Sequence, residues 1–110
     1  MKKNTIFASF ILLTFCHFQA VAGGGTGWLN VTQIYAYSSG VVRVFVSPAH
    51  TDPDNCGSTS VLHIAVDANK NMYAAILTAF TANKTVSFYI SGCLTESGTN
   101  APKITRVAIK

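Results

Sequence analysis

Past residue 22 the chain holds two cysteines, Cys56 and Cys93, and the residues before that point decide what the pair can become. Lys2 and Lys3 are followed by an apolar run over 6–15, then by Ala20-Val21-Ala22 ahead of a glycine-rich stretch that starts at Gly23. A charged start, an apolar segment too short to cross a bilayer and a small-x-small end are the parts of a secretory signal peptide of bacterial type. Residues 1–22 are therefore expected to be cleaved on export. Cys16, His17 and Gln19 interrupt the apolar run, which argues against a membrane anchor, and Phe15 is too large to precede a lipid-modified Cys16. The product is expected to be periplasmic or extracellular, with no membrane span after cleavage. In that oxidising compartment the remaining even pair of cysteines is expected to form a disulfide. Closing a loop of about 38 residues in this way stabilises a fold by about 4 kcal/mol in the chain-entropy description. A metal site would need more ligands than two isolated cysteines, and a redox pair would sit close together as CxxC.

The covalent link matters because only 88 of the 110 residues remain to fold. A domain of that size buries roughly 60–65% of its unfolded surface, so its core is marginal without a staple or a partner subunit. Removing the leader also leaves six cations (Arg43, Lys70, Lys84, Lys103, Arg106, Lys110) against four acids (Asp52, Asp54, Asp67, Glu96), a net charge of +2. Nucleic-acid binding requires clustered cations that displace counterions, and this scatter excludes it. So few charges leave a wide neutral surface, which favours self-association.

Read along the chain, 23–27 is a glycine-rich segment with no side chains to bury, expected to be a flexible arm ahead of a single domain over 28–110. Trp28 opens a strand whose apolar face shifts near Gln33, as in a bulged or strongly bent strand. Ser38-Ser39-Gly40 is a turn, and 41–47 alternates Val42, Val44 and Val46 against Val41, Arg43 and Phe45, a strand covered on both faces. Turn formers crowd 47–60, a long loop. A third strand follows over 61–66, with His63 facing outward opposite Leu62 and Ile64. Asp67-Ala68-Asn69 supplies a turn and an N-cap for a helix over 70–83, where Met72, Tyr73, Ile76, Leu77, Ala79 and Phe80 recur at three- and four-residue spacing. Asn83 suits the left-handed residue that ends it. The pattern over 85–91 predicts a fourth strand with Val86, Phe88 and Ile90 inward, 94–102 a polar loop, and 104–109 the last strand.

Three strands, a helix and two strands is the element order of the OB-fold, a mainly β, five-stranded barrel with one helix. A plain α+β sandwich would use the same elements. The face shift in the first strand favours the barrel, since a bent strand can serve both sides of it. In architecture the chain resembles the B subunits of AB5-type toxins such as subtilase cytotoxin and typhoid toxin, through the helix at 72–83 followed by Lys84-Thr85-Val86-Ser87-Phe88-Tyr89-Ile90. It also resembles short exported proteobacterial proteins with Cys56-Gly57 in a loop and Phe88-Tyr89-Ile90-Ser91-Gly92-Cys93 after the helix. The toxin resemblance implies a secreted homopentamer that binds glycans through loops or a strand face. It carries over no contact residue, because no short motif aligns.

Chemistry-bearing residues are few. His50 near Asp52 and Asp54, with Ser47 or Ser58, could be drawn as a hydrolytic set, and His50-Thr51-Asp52-Pro53-Asp54-Asn55 could offer ligands to a divalent cation. That stretch reads more simply as an Asx/Pro turn cluster, since an EF-hand loop would put an oxygen at Cys56 and a glutamate further on. No catalytic residue, metal site or cofactor is expected. The outward aromatics and hydroxyls remain. Trp28, Tyr35, Tyr37 and Tyr89 lie on strands or their ends with Ser87 and Ser91. Such rings stack on sugar rings while neighbouring hydroxyls satisfy sugar hydroxyls; equally, they would fill a subunit interface. The expectation is a non-enzymatic, oligomeric binding module that recognises a glycan or a protein partner, glycan-binding if it is built like a toxin B subunit. The alternative is a small periplasmic inhibitor or accessory protein that meets a protein partner with the loop 48–58.

Overall fold

The computed structural model describes residues 23–110, and the expected leader lies outside the described residues. The elements are β1 (Gly24–Ala36), β2 (Val41–Ser47), β3 (Val61–Ala65), α1 (Lys70–Ala82), β4 (Thr85–Glu96) and β5 (Thr99–Ile109). The five strands make one sheet that closes in a ring, in the order β1-β2-β3-β5-β4 and back to β1. An open sheet with a helix laid on it is therefore not the arrangement. All pairings are antiparallel except β3 with β5, which run parallel where His63 meets Lys103.

Closure depends on β1 serving two neighbours. Its first half pairs with β4, from Gly24 opposite Ile90 to Asn30 opposite Thr85, and its second half pairs with β2, from Asn30 opposite Ser47 to Ala36 opposite Val42. The register slips between Val31 and Gln33, where the sequence pattern changes face, and an extra residue in one strand bends it. Tyr37 and Gly40 close the turn to β2 by hydrogen bonds.

Two expectations need correction. The glycine segment is not a free arm: Gly24 and Gly25 are paired with Ile90 and Tyr89. Backbone groups alone make a ladder, so a strand can form where there is no side-chain pattern to read. Nor is 94–102 a loop. β4 continues through a bulged stretch at Ile90 to Cys93 and pairs onward with β5 as far as Glu96 opposite Thr99. Ser97 (φ 50°) and Gly98 (φ 78°) form the two-residue turn between them, and both adopt the positive φ that a type I′ hairpin requires.

The interior is apolar. Val42, Val44 and Val46 of β2, Leu62 and Ile64 of β3, and Val86, Phe88 and Ile90 of β4 are buried together with Leu29 and Ile104. The helix lies against β1, β4 and β5 and adds Ile76 and Ala79 to this core. It ends as expected on Asn83, at φ 57°, with Lys84 N–H donating to the Ala79 carbonyl. At its start Asn69 does not cap with its side chain; its Nδ2 donates instead to the Ala65 carbonyl at 2.7 Å, tying the turn to β3. Cys56 and Cys93 are joined in a disulfide, which fastens the loop after β2 to the bulged stretch of β4.

Candidate functional site

Strand alternation places three of the expected binding residues on one outer face. Val86, Phe88 and Ile90 point inward and are fully buried, so Ser87 and Tyr89 face out. Trp28 of β1 stands opposite Ser87, and Gly25 opposite Tyr89. On the other side of β4, Ala108 stands opposite Ser87 and Arg106 opposite Tyr89. Trp28 is 44% exposed and Tyr89 36%. Each ring carries a cation over one face: the Lys110 ammonium lies 4.8 Å from the Trp28 ring centroid, and the Arg106 guanidinium 4.7 Å from that of Tyr89. A cation at that distance is attracted to the ring face by about 0.5–1 kcal/mol at an exposed site. Gly25, Ser87 and Ala108 are small, and they leave a shallow hollow of about 280 Å³ bordered by Tyr89 and Arg106. The face thus combines flat aromatic surface, a hydroxyl and a forked cationic donor. Arg106 and Lys110 were not singled out from sequence, although with Ala108 they share one face of a strand read at period two.

Tyr35 and Tyr37 do not join this face. They lie beyond the Thr32 bulge, and seven strand positions at about 3.3 Å each put Tyr35 some 23 Å from Trp28 along β1. There Tyr35 meets Phe45 edge-on at 5.1 Å and Tyr37 at 6.4 Å, and the Arg43 guanidinium sits 5.0 Å from the Tyr37 centroid. Gln33 Nε2 donates to the Tyr35 hydroxyl at 3.2 Å. Ser91 falls in the bulged stretch of β4, beside Gly92 and toward the disulfide. The expected set therefore separates into a Trp28/Ser87/Tyr89 face and a Tyr35/Tyr37 patch.

His63 is not on an outer surface as its place in the strand suggested; it is completely buried. The stretch of β4 beyond Cys93, polar in composition yet a strand, lies against it. His63 Nδ1 lies 2.6 Å from the Leu94 carbonyl, and Arg43 Nε–H donates to His63 Nε2 at 3.0 Å. A carbonyl can only accept and a guanidinium can only donate, so the ring is neutral with its proton on Nδ1. Burial, reinforced by the nearby Arg43 charge, pushes its pKa below the ordinary 6.5, against the Leu94 hydrogen bond and Glu96. Arg43 also donates to the Glu96 carbonyl at 2.8 Å. The Glu96 carboxylate accepts from the Ser39 and Ser97 hydroxyls, which hold its pKa below the usual carboxylate value. With both nitrogens engaged, His63 is a tie between β2, β3 and the β4–β5 hairpin.

The loop 48–60 is pinned throughout. His50 is buried, its two ring nitrogens facing the Thr51 and Val61 carbonyls at 2.6 and 3.0 Å. The Asp52 carboxylate accepts from Cys56 N–H at 2.8 Å and Gly57 N–H at 2.7 Å, and Asn55 N–H donates to the Asp52 carbonyl, so Asp52 closes the turn that leads into Cys56. Asp54 accepts from Gly92 N–H at 2.7 Å. These partners make the stretch a cluster of turns. Among the described residues no three His, Cys, Asp or Glu side chains gather as a metal site would need, and no helix is long and apolar enough to cross a membrane. On the outer side of α1, Leu77 and Phe80 stand 38% and 41% exposed, with no charge over 71–83. The chain matches no protein-family model and no curated protein.

Proposed function

We propose that the protein is an exported, non-enzymatic binding module of OB-fold architecture that takes a saccharide on the outer face of β1, β4 and β5. The observation that carries this reading is that Trp28 and Tyr89, each with a cation over its ring, share one outer face, with a hollow beside Tyr89 and Arg106 bordered by Gly25, Ser87 and Ala108. A sugar ring offers an apolar C–H face to an aromatic plane and hydroxyls to polar neighbours, and Ser87 and Arg106 supply such neighbours at the hollow. The ring of strands with a helix between β3 and β4, and the disulfide in a chain with a secretory leader, support the OB-fold and an oxidising periplasmic or extracellular setting. The uncharged outer side of α1 with Leu77 and Phe80 supports self-association, a pentamer if the protein is built like a toxin B subunit.

Binding of the mature protein to a glycan array, with the same signals lost in both Trp28→Ala and Tyr89→Ala and kept in Tyr35→Ala, is the expected result. Retention of all signals in the first two variants would remove the face from consideration. A second reading, a small inhibitor or accessory protein, draws support from the loop 48–58. Held by His50, Asp52 and the disulfide, it presents exposed Pro48, Ala49, Thr51, Pro53 and Asn55, and a pre-ordered loop loses little entropy on docking. A stoichiometric protein partner recovered with the exported chain, and released by substitution of Pro53, would favour that reading instead.

A further inference from the structure

The backbone nitrogen of Gly23 lies 3.3 and 3.4 Å from the two carboxylate oxygens of Asp54. For a peptide N–H this is a poor arrangement, one hydrogen shared between two distant acceptors. Gly23 is also the residue that cleavage after Ala22 would make the first of the chain, and this nitrogen would then carry three protons and a full charge. We propose that the Asp54 carboxylate is a docking site for the α-ammonium group of Gly23, formed only when the leader is removed. Cleavage after Ala22, expected from the sequence, is its premise.

The surroundings fit a seated terminus rather than a loose one. A Cβ on Gly23 would stand 3.1 Å from the Ile90 carbonyl oxygen and 3.4 Å from two atoms of Tyr89, so only glycine fits there without displacement. The residue that follows is already paired, Gly24 with Ile90. Asp54 Oδ2, one of the two oxygens facing Gly23 N, also accepts from Gly92 N–H at 2.7 Å, and Asp54 lies two residues before Cys56, whose disulfide partner follows Gly92. The ammonium would therefore bind the start of β1 to the same junction that fastens the loop to β4. A charge-assisted pair with both oxygens would draw the nitrogen in to about 2.8 Å. Polar or charged groups near the junction include the Tyr89 hydroxyl beside Gly23, the Lys103 side chain beside Gly92 and Asp52 in the same loop.

Four proteins test this: mature chains starting at Gly23 or carrying one extra N-terminal serine, each with Asp54 or with Asp54→Asn. N-terminal mapping of the exported product is expected to read Gly-Gly-Gly-Thr; any other first residue overturns the premise and the docking together. With the terminus confirmed, the Gly23-start chain is expected to melt about 5 °C above the serine-extended one, the order of shift that one charge-assisted contact gives a domain this small. That difference is expected to vanish in the Asp54→Asn pair. Equal melting of the two Asp54 chains, or the same difference in both backgrounds, would overturn the docking while leaving the cleavage site intact. If Asp54→Asn fails to fold, acylation of the unmutated mature protein at neutral pH decides: the Gly23 amine is expected to react at least tenfold more slowly folded than unfolded in guanidinium, and equal rates would refute the docking.

Discussion

Replacing His63 with leucine isolates the buried tie between β2, β3 and the β4–β5 hairpin. Leucine keeps an apolar side chain of comparable bulk in a site with no solvent exposure, and removes both ring nitrogens. The Leu94 carbonyl loses its donor and Arg43 Nε–H loses its acceptor. A buried polar group left without a partner costs about 1–3 kcal/mol, and Arg43, being half-buried, can turn toward water; the two losses together come to about 2–4 kcal/mol. With the urea slope of a small domain, near 1.5 kcal/mol per molar, the midpoint should fall by about 2 M at pH 7.5 with the slope unchanged. Acid gives a second readout with a fixed sign. Because the folded-state pKa of His63 lies below 6.5, the native state resists a proton that the unfolded chain accepts. Stability is complete above the ordinary value and is lost as pH falls through the lowered one. The wild type should therefore lose stability below about pH 6.5 by more than His63→Leu does. A variant as stable as the wild type, or with the same pH dependence between 7 and 5, would refute the assignment of His63 as a neutral, doubly bonded ring.

Replacing Cys56 and Cys93 with alanine opens a loop spanning 37 residues of sequence separation and should lower stability in urea by about 4 kcal/mol; reductant should then have no further effect, whereas it should bring the wild type to the same midpoint. Phe80→Glu puts a charge on the exposed, otherwise uncharged side of α1 and should turn an oligomer into monomers in native mass measurement, with little change in the unfolding of the single chain. A Gly98→Val substitution, at φ 78° in the two-residue turn, should cost about 1–2 kcal/mol through left-handed strain, read as faster amide exchange at Thr95 and Thr99.

The parts of the fold that declare themselves in sequence are those whose side chains carry a period. Val42, Val44 and Val46 alternate in the chain and in burial, the helix keeps its apolar spacing up to Asn83, and the change of face near Gln33 coincides with the register slip in β1. What is hidden depends on backbone or on distant partners. Gly24 and Gly25 have no pattern to read, yet their amides and carbonyls complete the ring. The strand beyond Cys93 is polar by composition and is held by Arg43 and His63, which come from strands 30 or more residues earlier. For that reason the covering of His63 could not be read from β3 alone. The site behaves similarly: Trp28, Tyr89 and Ser87 stand out as aromatic and hydroxyl residues, but only the register of β1, β4 and β5 separates them from Tyr35 and Tyr37 and sets Arg106 and Lys110 over their rings.

Trp28 is the single tryptophan of the chain and lies on the proposed saccharide face, so its fluorescence reports that face directly. Titration of the mature protein with a glycan selected from the array should shift the emission to shorter wavelength and shield the ring from acrylamide, saturating with the binding isotherm. A glycan that binds while Trp28 stays as accessible to quencher as before would contradict a site on β1, β4 and β5.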